Sequence, residues 1–324
     1  MIFPFEMLFM AMVILGIFIS LGSVSWFVVW VGMEVNLFGL MPLFVYRKYS
    51  CEIESAVMYF LIQSVGSAWI LMGALVSYTG WGPYSWMVFV GAILKLGVGP
   101  FFFWVPKILM GLSWVNCIVL STLQKLIPLM VVVILVKVSL VSGLVGGSSA
   151  LIGAFGGIGQ TSIRSLMGFS SIGHMGWIIS LSVVSGFYMF LYFLVYCVMS
   201  SMVFLIIGAS SFFVSSINSV GLSVFNVGQF LVVLGLAGMP PFLGFFVKLV
   251  GVIFISGIFM LVIVLLVSSF ISLYYYMVLG FSICVSSPFS WPSYEVSYSG
   301  VWAISFFAVN LLGFSLIWLI LIGL

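Results

Sequence analysis

The sequence predicts an all-α polytopic membrane protein of about eleven transmembrane helices, two of them discontinuous, forming one integral-membrane unit over residues 1–324. Three observations carry this. Of the 324 residues, 65% are hydrophobic and 4% charged, whereas soluble domains carry about 25% charged residues. Apolar runs of membrane-crossing length, about 20 residues, follow one another with short connections. Two of these runs hold a glycine–proline break close to a lysine, at Gly97, Gly99 and Pro100 and again at Gly238, Pro240 and Pro241.

Spans are predicted at roughly 5–21, 24–46, 53–78, 84–107, 114–137, 141–162, 164–183, 186–211, 224–250, 252–283 and 299–323. Arg47, Lys48, Lys107 and Arg164 fall in connections on one side, and Lys137 falls on the other. The positive-inside rule then puts the N-terminus inside and the C-terminus outside. Trp81, Tyr84, Trp86, Trp104 and Trp114 stand at span ends, where an interfacial aromatic belt is expected. Gly153 and Gly157 form a small face for close helix contact. The nearby run Gly156–Gln160 matches neither nucleotide-loop spacing and follows no strand, so helix packing is its reading.

Several function classes are excluded. A net charge of +3 with no Lys/Arg stripe offers nothing for a nucleic-acid backbone to follow. The four cysteines, Cys51, Cys117, Cys197 and Cys284, lie far apart and His174 is the single histidine, which rules out a zinc or iron–sulfur motif by spacing. The N-terminus has neither a basic n-region with a small-residue cleavage site nor Arg-rich transit character, so insertion where the chain is made is expected.

Four charges lie within spans: Glu34, Lys95, Lys125 and Lys248. A charge at the bilayer centre costs at least about 2.5–3.5 kcal/mol, so four at comparable depth point to a working system rather than to accident. A carboxylate close to a buried lysine favours its charged form. Glu34, brought near Lys95, would therefore decide whether that lysine holds its proton, and a chain of such groups is a proton relay. The breaks at Gly97–Pro100 and Gly238–Pro241 free backbone carbonyls at membrane depth, tolerated only where protein or water satisfies them. Their corresponding positions point to an internal inverted repeat. His174 lies mid-span, with an imidazole suited to proton shuttling or to packing. Ser170, Ser171, Thr122 and Gln124 either order water between these groups or bond neighbouring carbonyls. Glu52 and Glu54 read as a solvated cluster beside Arg47 and Lys48, and Glu6 and Glu295 as interfacial charges.

Five segments together resemble one family: W-V-G-M-E-V-N-L-F (30–38), K-L-G-V-G-P-F-F-F-W-V-P (95–106), Q-K-L-I-P-L (124–129), G-G-I-G-Q-T-S-I-R-S-L-M-G-F-S-S-I-G-H-M-G-W (156–177) and L-A-G-M-P-P-F-L-G-F-F-V-K (236–248). In order and spacing they are similar to chain 2 of mitochondrial NADH–ubiquinone oxidoreductase, respiratory complex I, over roughly residues 24 to 250. The resemblance implies an antiporter-like subunit of the membrane arm that carries protons while quinone is reduced elsewhere. It implies that Glu34 is the helix-borne glutamate paired with Lys95, Lys125 the central lysine, and Lys248 the lysine of the second broken helix. His174 matches S-S-x-x-H-M-G. Eleven spans match the animal form, which lacks the first three of the bacterial one. NADH, FMN, iron–sulfur clusters and ubiquinone are expected in other subunits and none in this chain. The implied partners are other membrane-arm subunits, including neighbouring antiporter-like ones, with phospholipids, protons and water. The implied setting is the mitochondrial inner membrane, with the N-terminus in the matrix and the C-terminus in the intermembrane space.

Two positions depart from the family pattern. Phe102 stands where a histidine is frequent, and Met58 where a lysine is. A proton step through that histidine cannot occur here, and an inside-facing route through that lysine would need Glu54 and water. Two other readings use the same residues: a subunit of an Mrp-type cation/proton antiporter, and a structural or assembly subunit whose charges only pack.

Overall fold

Backbone polar groups in hydrocarbon must pair within their own segment, and every regular element among the described residues is an α-helix. The structure is a computed structural model and describes residues 4–46, 49–79, 84–135, 139–213, 222–240 and 242–285. Its helices are α1 (Pro4–Leu21), α2 (Trp26–Val45), α3 (Ser50–Thr79), α4 (Tyr84–Leu96), α5 (Trp104–Gly111), α6 (Trp114–Ser121), α7 (Leu123–Ile134), α8 (Ser139–Gly157), α9 (Ile163–Ser182), α10 (Gly186–Phe213), α11 (Leu222–Ala237), α12 (Leu243–Ile255) and α13 (Phe259–Val285). The span predicted at 299–323 lies outside the described residues, as do Arg47, Lys48, Trp81, Lys137, Pro241 and Glu295.

By length and composition, five stretches among the described residues are long and apolar enough to cross a membrane: Trp26–Val45, Ser50–Thr79, Trp114–Ile134, Gly186–Gly208 and Phe259–Ile283. Shorter apolar helices accompany them at Phe5–Leu21, Tyr84–Leu96, Val141–Gly157, Gly228–Ala237 and Leu243–Ile255. The chain is membrane-embedded, and its surface says so. Phe18, Leu144, Phe187, Phe259 and Phe270 stand exposed, while Lys95, Lys125, Asn36 and Gln63 are buried. A soluble domain rarely buries unpaired charges.

Several predicted boundaries move. The stretch 84–107 holds α4 and α5 with residues 97–103 non-helical between them. The stretch 114–137, read as one helix, is interrupted at Thr122. There the Ser121 and Thr122 hydroxyls both bond back to the Ile118 carbonyl, at 3.1 and 2.7 Å, beside the Thr122 N–H at 3.0 Å. Such back-bonding bends helices, and Pro128 removes a backbone donor further on. The join between the ninth and tenth spans falls at Ser256–Ile258 instead of at residue 251, because α12 continues to Ile255.

Glycines set the closest approach. A Cβ on Gly153 would fall 2.7 Å from both the Gly173 Cα and the Phe169 carbonyl, so α8 and α9 touch backbone to backbone beside His174. Gly157, its expected partner in that face, meets Tyr275 of α13 instead. Glu52 corrects the solvated reading: it is 4% exposed, whereas Glu54 is exposed.

Candidate functional site

The two breaks are built alike. At the end of α4, Gly97 takes φ +67°, its N–H bonds the Leu94 carbonyl at 3.2 Å, and Val98 N–H reaches back to Ile93 at 3.4 Å. At the end of α11, Gly238 takes φ +82°, its N–H bonds Gly235 at 3.2 Å, and Met239 N–H reaches Leu234 at 3.3 Å. Each is a Schellman cap, which needs the left-handed residue that glycine supplies. Each then turns in the same way, with Phe101 N–H on the Val98 carbonyl at 2.8 Å and Phe242 N–H on the Met239 carbonyl at 2.9 Å.

A helix end leaves four carbonyls without intrahelical donors. Beyond those the caps satisfy, side chains from elsewhere take one more at each end. Gln63 Nε2 donates to the Lys95 carbonyl at 3.3 Å, and Lys248 Nζ donates to the Ala237 carbonyl at 2.8 Å. The latter puts an ammonium at a helix C-terminus, where the dipole favours it. Trp104 also turns out to be buried, 7% exposed, with its indole N–H on the Leu94 carbonyl at 3.2 Å. It adds a second donor to a carbonyl that already accepts the Gly97 N–H, and it is not an interfacial belt residue.

Lys95 sits in the last turn of α4, 6% exposed. Glu34 on α2 is half-buried, and among the described residues no ion pair joins it to Lys95. Between Lys95 and α7 lies a cavity with room for about one water, lined by Asn36, Tyr59, Gln63, Lys95 and Gln124 with Met33, Leu37, Ile127 and Pro128. Its polar wall is itself connected: Gln124 Nε2 donates to Asn36 Oδ1 at 2.8 Å, and the Tyr59 hydroxyl donates to Gln124 Oε1 at 3.1 Å. Gln124 immediately precedes Lys125 in the first turn of α7.

Lys125, 4% exposed, donates to the Tyr196 hydroxyl at 3.5 Å and lies 5.3 Å from the centre of that ring. Tyr196 and His174 are in ring contact at 5.3 Å, and His174 Nδ1 shares a 3.1 Å hydrogen bond with the Tyr192 hydroxyl. His174 borders two further water-sized cavities. One is lined by Tyr192, Tyr196, Met199 and Val247, among others, and one by Ser170, Lys248, Ser268, Ser272 and Tyr275, among others. The second joins His174 to Lys248. The hydroxyls of Ser170, Ser171 and Thr122 bond carbonyls three or four residues back, at 2.8, 2.8 and 2.7 Å. Ser170 also reaches Tyr276 of α13 and Ser171 reaches Tyr196 of α10, and Gln124 links α7 to α2 and α3.

Of the residues singled out in the sequence, the structure brings Lys125 and His174 together through Tyr196, and sets Lys248 and His174 on one cavity. Lys95 lies one cavity away from Lys125's neighbour Gln124, and Glu34 stands apart from direct contact. Gly97, Gly99, Pro100, Gly238 and Pro240 form the non-helical segments, and Pro241 lies outside the described residues. Phe102, in place of a histidine, stacks on Phe103 at 4.0 Å. Sequence reasoning missed Asn36, Tyr59, Gln63, Tyr192 and Tyr196. Asn36 and Gln63 carry a legible signal, an amide in an apolar span. Tyr192 and Tyr196 hide in an aromatic-rich run, F-Y-M-F-L-Y-F-L-V-Y, and Tyr59 in an apolar span.

A membrane-embedded helical chain with a line of buried lysines and two glycine-capped helix ends has the features of an antiporter-like membrane subunit, and residues 83–272 match the family model described as NADH:quinone oxidoreductase/Mrp antiporter, TM. The chain belongs to the NADH–ubiquinone oxidoreductase chain 2 family. It is 33% identical over 289 residues to NADH–ubiquinone oxidoreductase chain 2 of Locusta migratoria, covering 86% of this chain and 84% of that one. To the protein of the same name in Patiria pectinifera it is 35% identical over 296 residues, covering 85% and 83%. The fold is similar to a chain of respiratory complex I from Thermus thermophilus with bound aureothin, at TM-score 0.78 and 20% identity over 96% of this chain and 78% of that one. It is also similar to a chain of the Mrp complex from Dietzia sp. DQ12-45-1b, at TM-score 0.74 and 20% identity over 89% and 61%.

Proposed function

We propose that this chain is a proton-conducting subunit in the membrane arm of a mitochondrial NADH–ubiquinone oxidoreductase, with no redox chemistry of its own. One observation carries the proposal: Lys125, His174 and Lys248 are joined by side-chain contacts and a cavity large enough for a single water, and a like cavity sets Lys95 beside Gln124, the neighbour of Lys125. In a low-dielectric interior like charges repel strongly, so a proton loaded on one amine opposes a proton on the next. Glu34 acts on the Lys95 end of the line. A change in its distance from that ammonium would load or unload Lys95, and repulsion would pass the change along to Lys125 and Lys248. The two caps supply the fixed carbonyls that a regular helix would have kept to itself.

On this reading the chain has eleven spans in the mitochondrial inner membrane, α4–α5 and α11–α12 being the discontinuous ones, with the N-terminus in the matrix and the C-terminus in the intermembrane space. The like-built caps favour an internal repeat, truncated at the N-terminus relative to bacterial relatives. NADH, FMN, iron–sulfur clusters and ubiquinone belong to other subunits, and the partners are the other membrane-arm subunits and phospholipids.

Lys125→Met in the assembled enzyme tests the role of the line. Loss of coupled turnover by more than about tenfold, the scale expected when a positioned proton-transfer group is removed, supports it. Unchanged turnover with unchanged protons moved per NADH would mean the charges only pack. The family model also covers Mrp antiporters, which favours a second reading as a cation/proton antiporter subunit. On a native gel of gently solubilised membranes, co-migration with NADH dehydrogenase activity supports the first reading, and migration as a small separate species supports the second.

A further inference from the structure

No cavity among those beside His174 reaches Lys125. Lys125 stands on α7 and His174 on α9, and no hydrogen bond among the described residues joins them directly. Tyr196, on α10, touches both. Its hydroxyl accepts from Lys125 Nζ at 3.5 Å, its ring face lies 5.3 Å from that ammonium, and its ring centre is 5.3 Å from that of His174. It is 4% exposed, so bulk water does not compete for the hydroxyl. Tyr196, Tyr192 and His174 all border one cavity with room for about one water.

We infer that the Tyr196 hydroxyl is the carrier through which a proton passes between Lys125 and His174, an inference that rests on the proton-conduction reading above. A phenol accepts and donates a hydrogen bond at the same oxygen, which an apolar aromatic at this position would not do. In the step, Lys125 gives one N–H proton to the phenol oxygen as the phenol's own O–H bond breaks. That proton crosses one water to the imidazole nitrogen that Tyr192 does not hold. Lys125 is left as the neutral amine and His174 becomes imidazolium. No electron moves, and the reverse step restores both groups. Tyr192 is a positioning residue: its bond to Nδ1 fixes which ring nitrogen is available, as a partner on one imidazole nitrogen fixes the role of the other.

The test is Tyr196→Phe in the assembled respiratory enzyme, with Lys125→Met measured alongside. Phenylalanine keeps the ring, its packing and its cation–π face, and removes only the oxygen. The expected result is normal assembly on a native gel with NADH-driven proton uptake into vesicles lowered about tenfold or more. Wild-type proton uptake in Tyr196→Phe with loss in Lys125→Met would overturn the Tyr196 step while leaving the conduction reading intact. Wild-type uptake in both variants would overturn the conduction reading, and this inference with it. If Tyr196→Phe fails to assemble, 3,5-difluorotyrosine at position 196 keeps the hydroxyl and makes it more acidic. The alkaline limb of the pH–turnover profile then shifts to lower pH if Tyr196 carries the proton; an unmoved profile overturns the proposal.

Discussion

Single side chains decide how this chain treats charge. Glu34 stands beside the polar line without an ion pair to Lys95, so on the proposed reading its influence is through space and sensitive to distance. Glu34→Gln keeps the shape and removes the charge. Coupled NADH–quinone turnover is expected to fall several-fold, with a changed pH profile; a wild-type rate from acid to alkaline pH would refute the lever. The charges were legible in the sequence because they are scarce, 13 Lys, Arg and Glu side chains in 324 residues. The tyrosines that connect them were not. With 13 Tyr and 33 Phe in the chain, a tyrosine on an aromatic helix says nothing until its hydroxyl is seen against Lys125 or His174. The roles of Ser170 and Ser171 were equally undecided in the sequence, because a mid-helix serine has its own helix carbonyl within reach.

At the scale of elements, the breaks were visible from glycine and proline, but the cap geometry was not. Gly97 and Gly238 both need positive φ, which costs a residue with a Cβ about 1–2 kcal/mol. The surroundings separate them. A Cβ on Gly97 would run into Val105 and the Trp104 ring, whereas on Gly238 it would meet the flexible end of Lys248. Gly97→Ala is therefore expected to lower the yield and thermal stability of the assembled complex more than Gly238→Ala. A native-gel melting series checks the order, and equal losses would contradict it. Gly238→Ala is expected to act on turnover instead, by pushing the Lys248 ammonium off the Ala237 carbonyl. The interruption at Thr122 escaped the sequence because its cause is local bonding by two hydroxyls to one carbonyl, which serine and threonine also make in unbroken helices.

Over the molecule as a whole, among the described residues, apolar side chains fill both the core and the rim, and amides, amines and phenols run along an inner line. Composition alone made that legible. The helix order and the pairing of α3 with α4 and of α8 with α9 followed from short connections, but the line's continuity depends on contacts between helices far apart in sequence. Groups that act in series fail together, so their losses do not add. The double variant Lys125→Met with Lys248→Met is expected to move protons no worse than the poorer single variant. Multiplying losses in vesicle proton uptake would mean two independent routes.

The matching caps carry a further consequence. Setting Gly97 against Gly238 aligns Phe101 with Phe242, Lys107 with Lys248, and Lys95 with Leu236. Lys107 is exposed, and Lys248 is half-buried on its carbonyl. On the repeat reading proposed above, the two like-built caps carry their lysines on opposite sides of the bend. In the first copy the working amine stands upstream of the bend and the downstream one is left in the open; in the second the upstream place has been emptied to leucine. The two ends of the line are not interchangeable, and a conduit with a distinguishable head and tail is one that can be driven in a single direction.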